Sequence, residues 1–204
     1  MIKKEMEVSS LVALSGVYSR HMKRALDLAI SIPLSVIAVP LALAIAAAIK
    51  AEDRGPVFFR QRRVGRNGVE FTITKFRSMP CGTPHLESAI AGELEVTRVG
   101  RLIRRVSLDE IPQVLSVIAG DMSLVGPRPP IPQQVPLIQM RKENGSLSLK
   151  PGLTGLAQVE GYDGMSESVK SGWDAVYLNR LSLAMDLRIL VRTVAYIFRK
   201  PPSY

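Results

Sequence analysis

A chain of 204 residues with 27 Lys and Arg against 18 Asp and Glu carries a formal charge of +9, which calls for nucleic acid, anionic lipid or a phosphorylated substrate as partner. Aromatic residues make up only 5%, thin for a surface that stacks bases, and no nucleic-acid motif occurs; membrane plus phosphate is the better pairing, with no nucleic acid as partner. The single cysteine, Cys81, excludes an internal disulfide and suits a reducing compartment, and with only two histidines beside it the usual zinc sites are excluded too.

The opening MIKKEMEVSS mixes acids and bases and has no cleavage site, so residues 1–21 read as a retained extension rather than a removed signal peptide. From Leu28 to Ile49 no charged residue occurs, long enough as a helix to cross a bilayer. His21, Lys23 and Arg24 stand before it and Lys50 and Arg54 after it, so both flanks carry the positive charge that collects on the cytoplasmic side. That pattern predicts a re-entrant, non-spanning membrane helix over 22–50, kinked at Pro40. Ser31 or Ser35 could satisfy a carbonyl freed by a proline. An ordinary spanning anchor with a tolerated proline has the same composition, and it stays open here.

Pro56–Gln61 and Val69–Thr74 are β-prone runs around Asn67-Gly68, a strong hairpin signal because both residues tolerate positive φ. Residues 81–93 are rich in turn formers and read as a loop. Val96, Val99, Leu102, Ile103 and Val106 then recur at helical spacing, with Arg98, Arg101, Arg104 and Arg105 mostly on the other side. An interfacial helix on anionic lipid needs that arrangement; a core-facing helix with a solvated rim has it as well. Five prolines from Pro127 to Pro136 stiffen the backbone around Arg128. Pro151–Gly155 reads as a tight turn whose amides could cradle an anion. Leu181–Arg199 closes the chain as an amphipathic helix. The whole reads as an α+β fold, mostly helical, with residues 51–204 forming one domain around the small hairpin.

Chemistry concentrates in Ser107-Leu108-Asp109-Glu110-Ile111-Pro112-Gln113. Ser107 to Glu110 fits a capping box, but Pro112 is better tolerated if the helix starts near Asp109. Asp109 and Glu110 could simply cap that helix and complement its dipole. Alternatively, an ionised aspartate, a second carboxylate able to share Mg2+, and Arg104 and Arg128 for phosphate oxygens form a phosphoryl-transfer kit.

At these residues the chain resembles the bacterial polyprenyl-phosphate sugar-1-phosphate transferases of the monotopic phosphoglycosyl transferase superfamily. The resemblance runs from about Arg24 to Arg199. It rests on Gln61-Arg62-Arg63-Val64-Gly65, Lys75-Phe76-Arg77-Ser78-Met79, Ser107 to Gln113, Gly120 to Pro129, and Pro151 to Val159. The resemblance implies a re-entrant membrane helix, amphipathic interfacial helices and a two-step reaction at the cytoplasmic face of the bacterial inner membrane. Asp109 would be the nucleophile that attacks the β-phosphoryl group of a UDP-sugar and expels UMP. Polyprenyl (undecaprenyl) phosphate would then take the sugar phosphate from it. Glu110 would be the dyad partner, and Asp109 and Glu110 together would hold Mg2+. Arg104 and Arg128 match basic positions of the family's active site, and Asp174 and Asp186 match late acidic positions that could equally be surface or capping charges. Lys75 and Arg77 are candidate phosphate-side cations, although outward bases alternating on a strand explain them too.

The chain departs from the family in two places. Val39, rather than a small hydroxyl residue, precedes Pro40. Where relatives carry an arginine after the Ala-Gln-Val block, this chain has Glu160-Gly161-Tyr162-Asp163, and Tyr162 cannot replace that charge. Trp173 fits packing or the interface better than stacking on uracil. A rival reading makes the chain a basic membrane-anchored adaptor with no catalysis, which leaves the Asp109-Glu110 pair unexplained.

Overall fold

The computed structural model describes residues 18–83, 95–161 and 165–197. The extension up to residue 17, the loop with His85, Tyr162-Asp163 and Arg199 lie outside the described residues. A π-helical turn, Tyr18–Met22, leads into the long helix α1, Lys23–Asp53. Among the described residues α1 is the one helix long and apolar enough to cross a membrane, by length and composition.

Helix α1 is held to the body of the protein at both ends and bare between them. At its start Lys23 pairs with Asp186 at 2.6 Å, and Arg24 donates to the carbonyls of Val117 and Ile118. Asp27 accepts from the Ser123 hydroxyl and the Leu124 amide at 3.0 and 2.9 Å. Near its end Ile45 and Ile49 are buried against Phe76 and Ile103, and Asp53 pairs with Arg77. The middle exposes Val36, Ile37 and Leu43 at 67%, 72% and 66%. Apolar side chains left so bare need an apolar neighbour other than water. Arg54, in the left-handed region at φ 59°, ends the helix. The helix continues through Pro33 and Pro40, and Ser35 donates to the Ile32 carbonyl, not to either carbonyl freed by a proline. Ser31 is fully buried and its hydroxyl has no partner among the described residues.

Strands β1, Phe58–Val64, and β2, Glu70–Phe76, form the expected antiparallel hairpin, each running later than the sequence suggests. Asn67 and Gly68 do take positive φ, 56° and 82°. Register pairs Phe59 with Lys75, Gln61 with Ile73 and Arg63 with Phe71, so those side chains share one face of the hairpin. That face turns toward the body: Gln61, Arg63 and Ile73 are buried.

Helix α2, Arg98–Arg105, is capped by the Thr97 side chain on the Gly100 amide. It buries Ile103 and rests Val99 on the same apolar cluster, while Leu102 is 68% exposed. A Cβ on Gly100 would lie 2.0 Å from the Ser78 carbonyl oxygen, so glycine is what permits this close seat. Helix α3, Val114–Ala119, follows a 3-10 turn. Strand β3, Ser123–Val125, pairs in parallel with β4, Gly152–Thr154. Within the Pro151–Gly155 stretch, Gly152–Thr154 is therefore a strand rather than an anion-binding turn, and the Gly152 amide donates to the Pro127 carbonyl. Helices α4, Val135–Glu143, α5, Leu156–Glu160, α6, Glu167–Asn179, and α7, Leu183–Ile197, complete the fold. The main core gathers Ile73, Val117, Met122, Leu124, Tyr177 and Ile189, with Trp173 packed against it.

Candidate active site

Asp109 and Glu110 do not stand on the first turn of an α-helix. They lie in a 3-10 turn, Leu108–Gln113, that absorbs Pro112 before α3 begins. Ser107 takes the left-handed region at φ 55°, and its side chain makes no cap bond. The capping box is thus not formed, which frees the Glu110 side chain to reach elsewhere. Ser107 turns the chain sharply between α2 and the 3-10 turn, at a backbone cost of about 1 kcal/mol.

Glu110 is fixed by two cations from separate elements. Lys75, on β2, and Arg128, in the proline run, both donate to its Oε1, at 2.5 and 3.0 Å. Oε2 has no hydrogen-bond partner among the described residues. Burial disfavours the charged Glu110, but Lys75 and Arg128 outweigh it and hold the carboxyl well below its ordinary range.

Asp109 contrasts with its neighbour. It is half-buried, and no hydrogen bond or ion pair engages its carboxylate among the described residues. Burial pushes its carboxyl up and the Glu110 charge adds to that, while Lys75, Arg104 and Arg128 oppose it. Two adjacent carboxylates thus have opposed proton affinities, one locked and charged, the other unencumbered and more basic. A carboxylate of that second kind, ringed by cations, is equipped to attack a phosphorus centre.

The donor set also suits Mg2+. Among the described residues no group of three or more His, Cys, Asp and Glu forms a metal site, but Mg2+ takes one or two carboxylates and completes its shell with substrate phosphates and water. Asp109 and the second oxygen of Glu110 provide that minimum.

The structure therefore brings together Asp109, Glu110, Lys75, Arg104 and Arg128. It does not bring Arg77, Asp174 or Asp186 to the same point. Strand β2 ends at Phe76, so Arg77 leaves the ladder, and its guanidinium pairs with Asp53 at the end of α1. Asp174, on α6, is 2% exposed and pairs with Arg141 of α4 at 2.6 Å. Burial raises the Asp174 carboxyl above its ordinary value, with Arg141 opposing. Asp186, on α7, is fully buried and bonded by Lys23, Tyr18 and Tyr177. Near the segment that departs from the family pattern, Arg192 of α7 reaches Glu160 and the Val159 carbonyl.

Sequence reasoning passed over the roles of Arg63 and Arg141. Arg63 is buried on the hairpin's inner face and donates to the Pro129 carbonyl at 3.0 Å. Burial and the nearby Arg128 charge lower its guanidinium to about 10, so it stays cationic at neutral pH. Inward placement of Arg63 follows from strand alternation with Gln61, a signal the sequence carried. A lone arginine in the polar helical run around Arg141 carries none.

Asp109 thus has no hydrogen-bond partner among the described residues and feels the charges of Lys75, Arg104 and Arg128, in a chain that also carries one helix long and apolar enough to cross a membrane. The chain matches the family model of bacterial sugar transferases over residues 18–200, and it belongs to that family of enzymes. It is 41% identical over 191 residues to the UDP-glucose:undecaprenyl-phosphate glucose-1-phosphate transferase of Caulobacter vibrioides, covering 89% of this chain and 72% of that one. A protein of the same name from Xanthomonas campestris is 40% identical over 177 residues, covering 81% of this chain and 36% of the relative. The UDP-N-acetylgalactosamine-undecaprenyl-phosphate N-acetylgalactosaminephosphotransferase of Aeromonas hydrophila is 36% identical over 205 residues, 95% of this chain and 47% of that one. The chain thus spans less than half the length of the latter two.

Proposed function

We propose that this protein transfers a sugar-1-phosphate from a UDP-sugar to polyprenyl phosphate, at the cytoplasmic face of the bacterial inner membrane. The observation that carries the reading is the split pair: Asp109 unbonded among cations, Glu110 tied by Lys75 and Arg128. Relatives named for both substrates support it.

In the first step an Asp109 carboxylate oxygen attacks the β-phosphorus of the UDP-sugar. The bond from that phosphorus to the bridging oxygen breaks, UMP leaves with the electron pair, and the sugar phosphate remains on Asp109. A phosphate oxygen of the polyprenyl carrier then attacks the same phosphorus. The bond to Asp109 breaks, its carboxylate is restored, and a polyprenyl diphosphate sugar departs. Lys75, Arg104 and Arg128 neutralise charge on the phosphoryl oxygens as each bond forms. Asp109 and Glu110 would hold Mg2+, which supplies further charge neutralisation at the diphosphate.

The membrane arrangement belongs to the same proposal. Attachment of both ends of α1 to one body, with its bare middle between, supports a helix that dips into one leaflet and returns. Residues 22–50 then form the membrane element and residues 51–204 the catalytic domain. Exposed Leu183, Leu187, Val191 and Val194 make a stripe on α7, and Leu102 and Leu115 stand bare on α2 and α3. These faces, with the arginines of α2, suit contact with anionic lipid.

The test is incubation with a panel of UDP-sugars and Mg2+, scoring UMP with and without polyprenyl phosphate. At least one donor should yield UMP, and Asp109→Asn should abolish it. Near-normal UMP release by that variant would exclude Asp109 as the nucleophile.

A further inference from the structure

Three of the four residues Pro127–Pro130 are prolines without an amide, so the run cannot brace itself through its own hydrogen bonds. Instead each successive carbonyl accepts from a donor outside the run, the four donors standing on β1, β4 and α4. The Gly152 amide of β4 donates to Pro127 at 2.9 Å, and the Val64 amide of β1 donates to Pro130 at 2.9 Å. Between them, Arg141 donates Nη1 to the Arg128 carbonyl at 2.9 Å, and Arg63 donates Nη1 to the Pro129 carbonyl at 3.0 Å. Both central donors are buried guanidiniums, 3% and 8% exposed. Each is itself pinned: Arg141 by Asp174, through Nε at 2.8 Å and Nη2 at 2.6 Å, and Arg63 by the Gln61 side chain.

Burying two arginines against carbonyls costs desolvation that an apolar pair would avoid. Their common effect is local. They hold the carbonyls of the two successive peptides that follow the Arg128 Cα. We infer that Arg141 and Arg63 are positioning residues for Arg128, holding its backbone so that its guanidinium stays aimed at Glu110 and at the phosphoryl group in transit. Neither touches the reacting atoms. Asp174 enters the same chain one link further out, which gives that buried acid a role at the site without contact to substrate. The inference rests on the proposed reaction in so far as Arg128 meets a phosphate.

The test uses the full chain in lipid nanodiscs and the variants Arg141→Lys and Arg63→Lys. Each keeps the charge but replaces a planar fork with a shorter point donor. Arg128 carries the one backbone amide in the 127–130 run, so hydrogen exchange in a peptide covering it reads the loop directly. We expect its exchange to speed up at least tenfold in Arg141→Lys while that of α3 changes less than twofold. UMP release should lose roughly 10- to 100-fold in kcat/KM, as misplacement by about an ångström does. In an Arg128→Ala background the same substitution should cost less than twofold, because a residue acting only through Arg128 has nothing left to position. Unchanged exchange at Arg128, or losses that multiply in the double variant, would overturn the inference. If Arg141→Lys loses protection throughout the fold, Arg63→Lys and Asp174→Asn carry the same comparison. A wild-type protein that releases no UMP from any donor would defeat the proposed reaction, while the exchange measurement would still decide the positioning.

Discussion

Lys75 on the hairpin and Arg128 in the proline run converge on one oxygen of Glu110, and Asp109 beside it is bonded by neither. Neighbouring carboxylates should therefore respond to mutation in opposite ways. Glu110→Ala removes the carboxylate that Lys75 and Arg128 both bond and should cost about 1–3 kcal/mol of stability. Asp109→Asn removes no hydrogen bond and should leave stability within about 1 kcal/mol of wild type. In activity both should be severely impaired, and Glu110→Gln should also alter the Mg2+ dependence. Thermal unfolding alongside UMP release separates the two; equal destabilisation by both substitutions would contradict the geometry.

Where α1 begins, Asp186 is bonded by Lys23, Tyr18 and Tyr177 with no exposure to water. Asp186→Ala leaves the half-buried Lys23 ammonium without its counter-ion and the buried Tyr18 hydroxyl without its acceptor, and should cost about 3–5 kcal/mol. It should also loosen the start of α1, read as faster proteolysis after Lys23.

Alkaline pH tests the same cluster. Burial and Asp186 raise both the Tyr18 and Tyr177 phenols above the ordinary value of 10.0. A raised folded value means the folded state holds protons that the unfolded state has lost above pH 10.0. The stability contribution is complete below that pH and falls as pH rises beyond it. Arg63, lowered to about 10, acts in the opposite sense over the same window. Tyr177→Phe is therefore the comparison: its stability should fall less steeply above pH 10 than that of wild type, followed by absorbance of the phenolate.

Several of these features are legible in the residues themselves. Asn67-Gly68 announces the hairpin because only residues tolerant of positive φ make that turn. The apolar run announces α1, and Asp109-Glu110 between arginines announces the site. What stays hidden depends on partners distant in sequence or on irregular backbone. Lys75 and Arg77 look equivalent at a spacing of two, yet the ladder stops at Phe76 and only Lys75 faces Glu110. Asp174 and Asp186 read equally as site acids or as surface or capping charges, and nothing in the sequence points to Arg141 and Lys23 as their partners. The 3-10 turn is concealed because Ser107 adopts a left-handed conformation usual for glycine or asparagine. Ser107→Gly should accordingly preserve activity and stability, while Ser107→Val should cost about 1–2 kcal/mol; the reverse order in thermal unfolding would refute the strained turn.

The course of α1 through the membrane has a direct chemical readout. A single cysteine placed in the first 20 residues, in a Cys81→Ser background, should react with an impermeant maleimide from the same side of sealed vesicles as one placed near Asp121. Reaction from opposite sides would establish a crossing helix and remove the re-entrant arrangement.

The covalent role of Asp109 can be weighed rather than inferred from rates. Intact-mass analysis of the protein mixed with a donor UDP-sugar and Mg2+, with no polyprenyl phosphate present, should show one added sugar phosphate on the peptide that contains residue 109. Adding the carrier should discharge it, and Asp109→Asn should never acquire it. A donor that turns over with the carrier yet leaves no adduct in its absence would mean direct transfer between two bound substrates, and the carboxylate would not be the nucleophile.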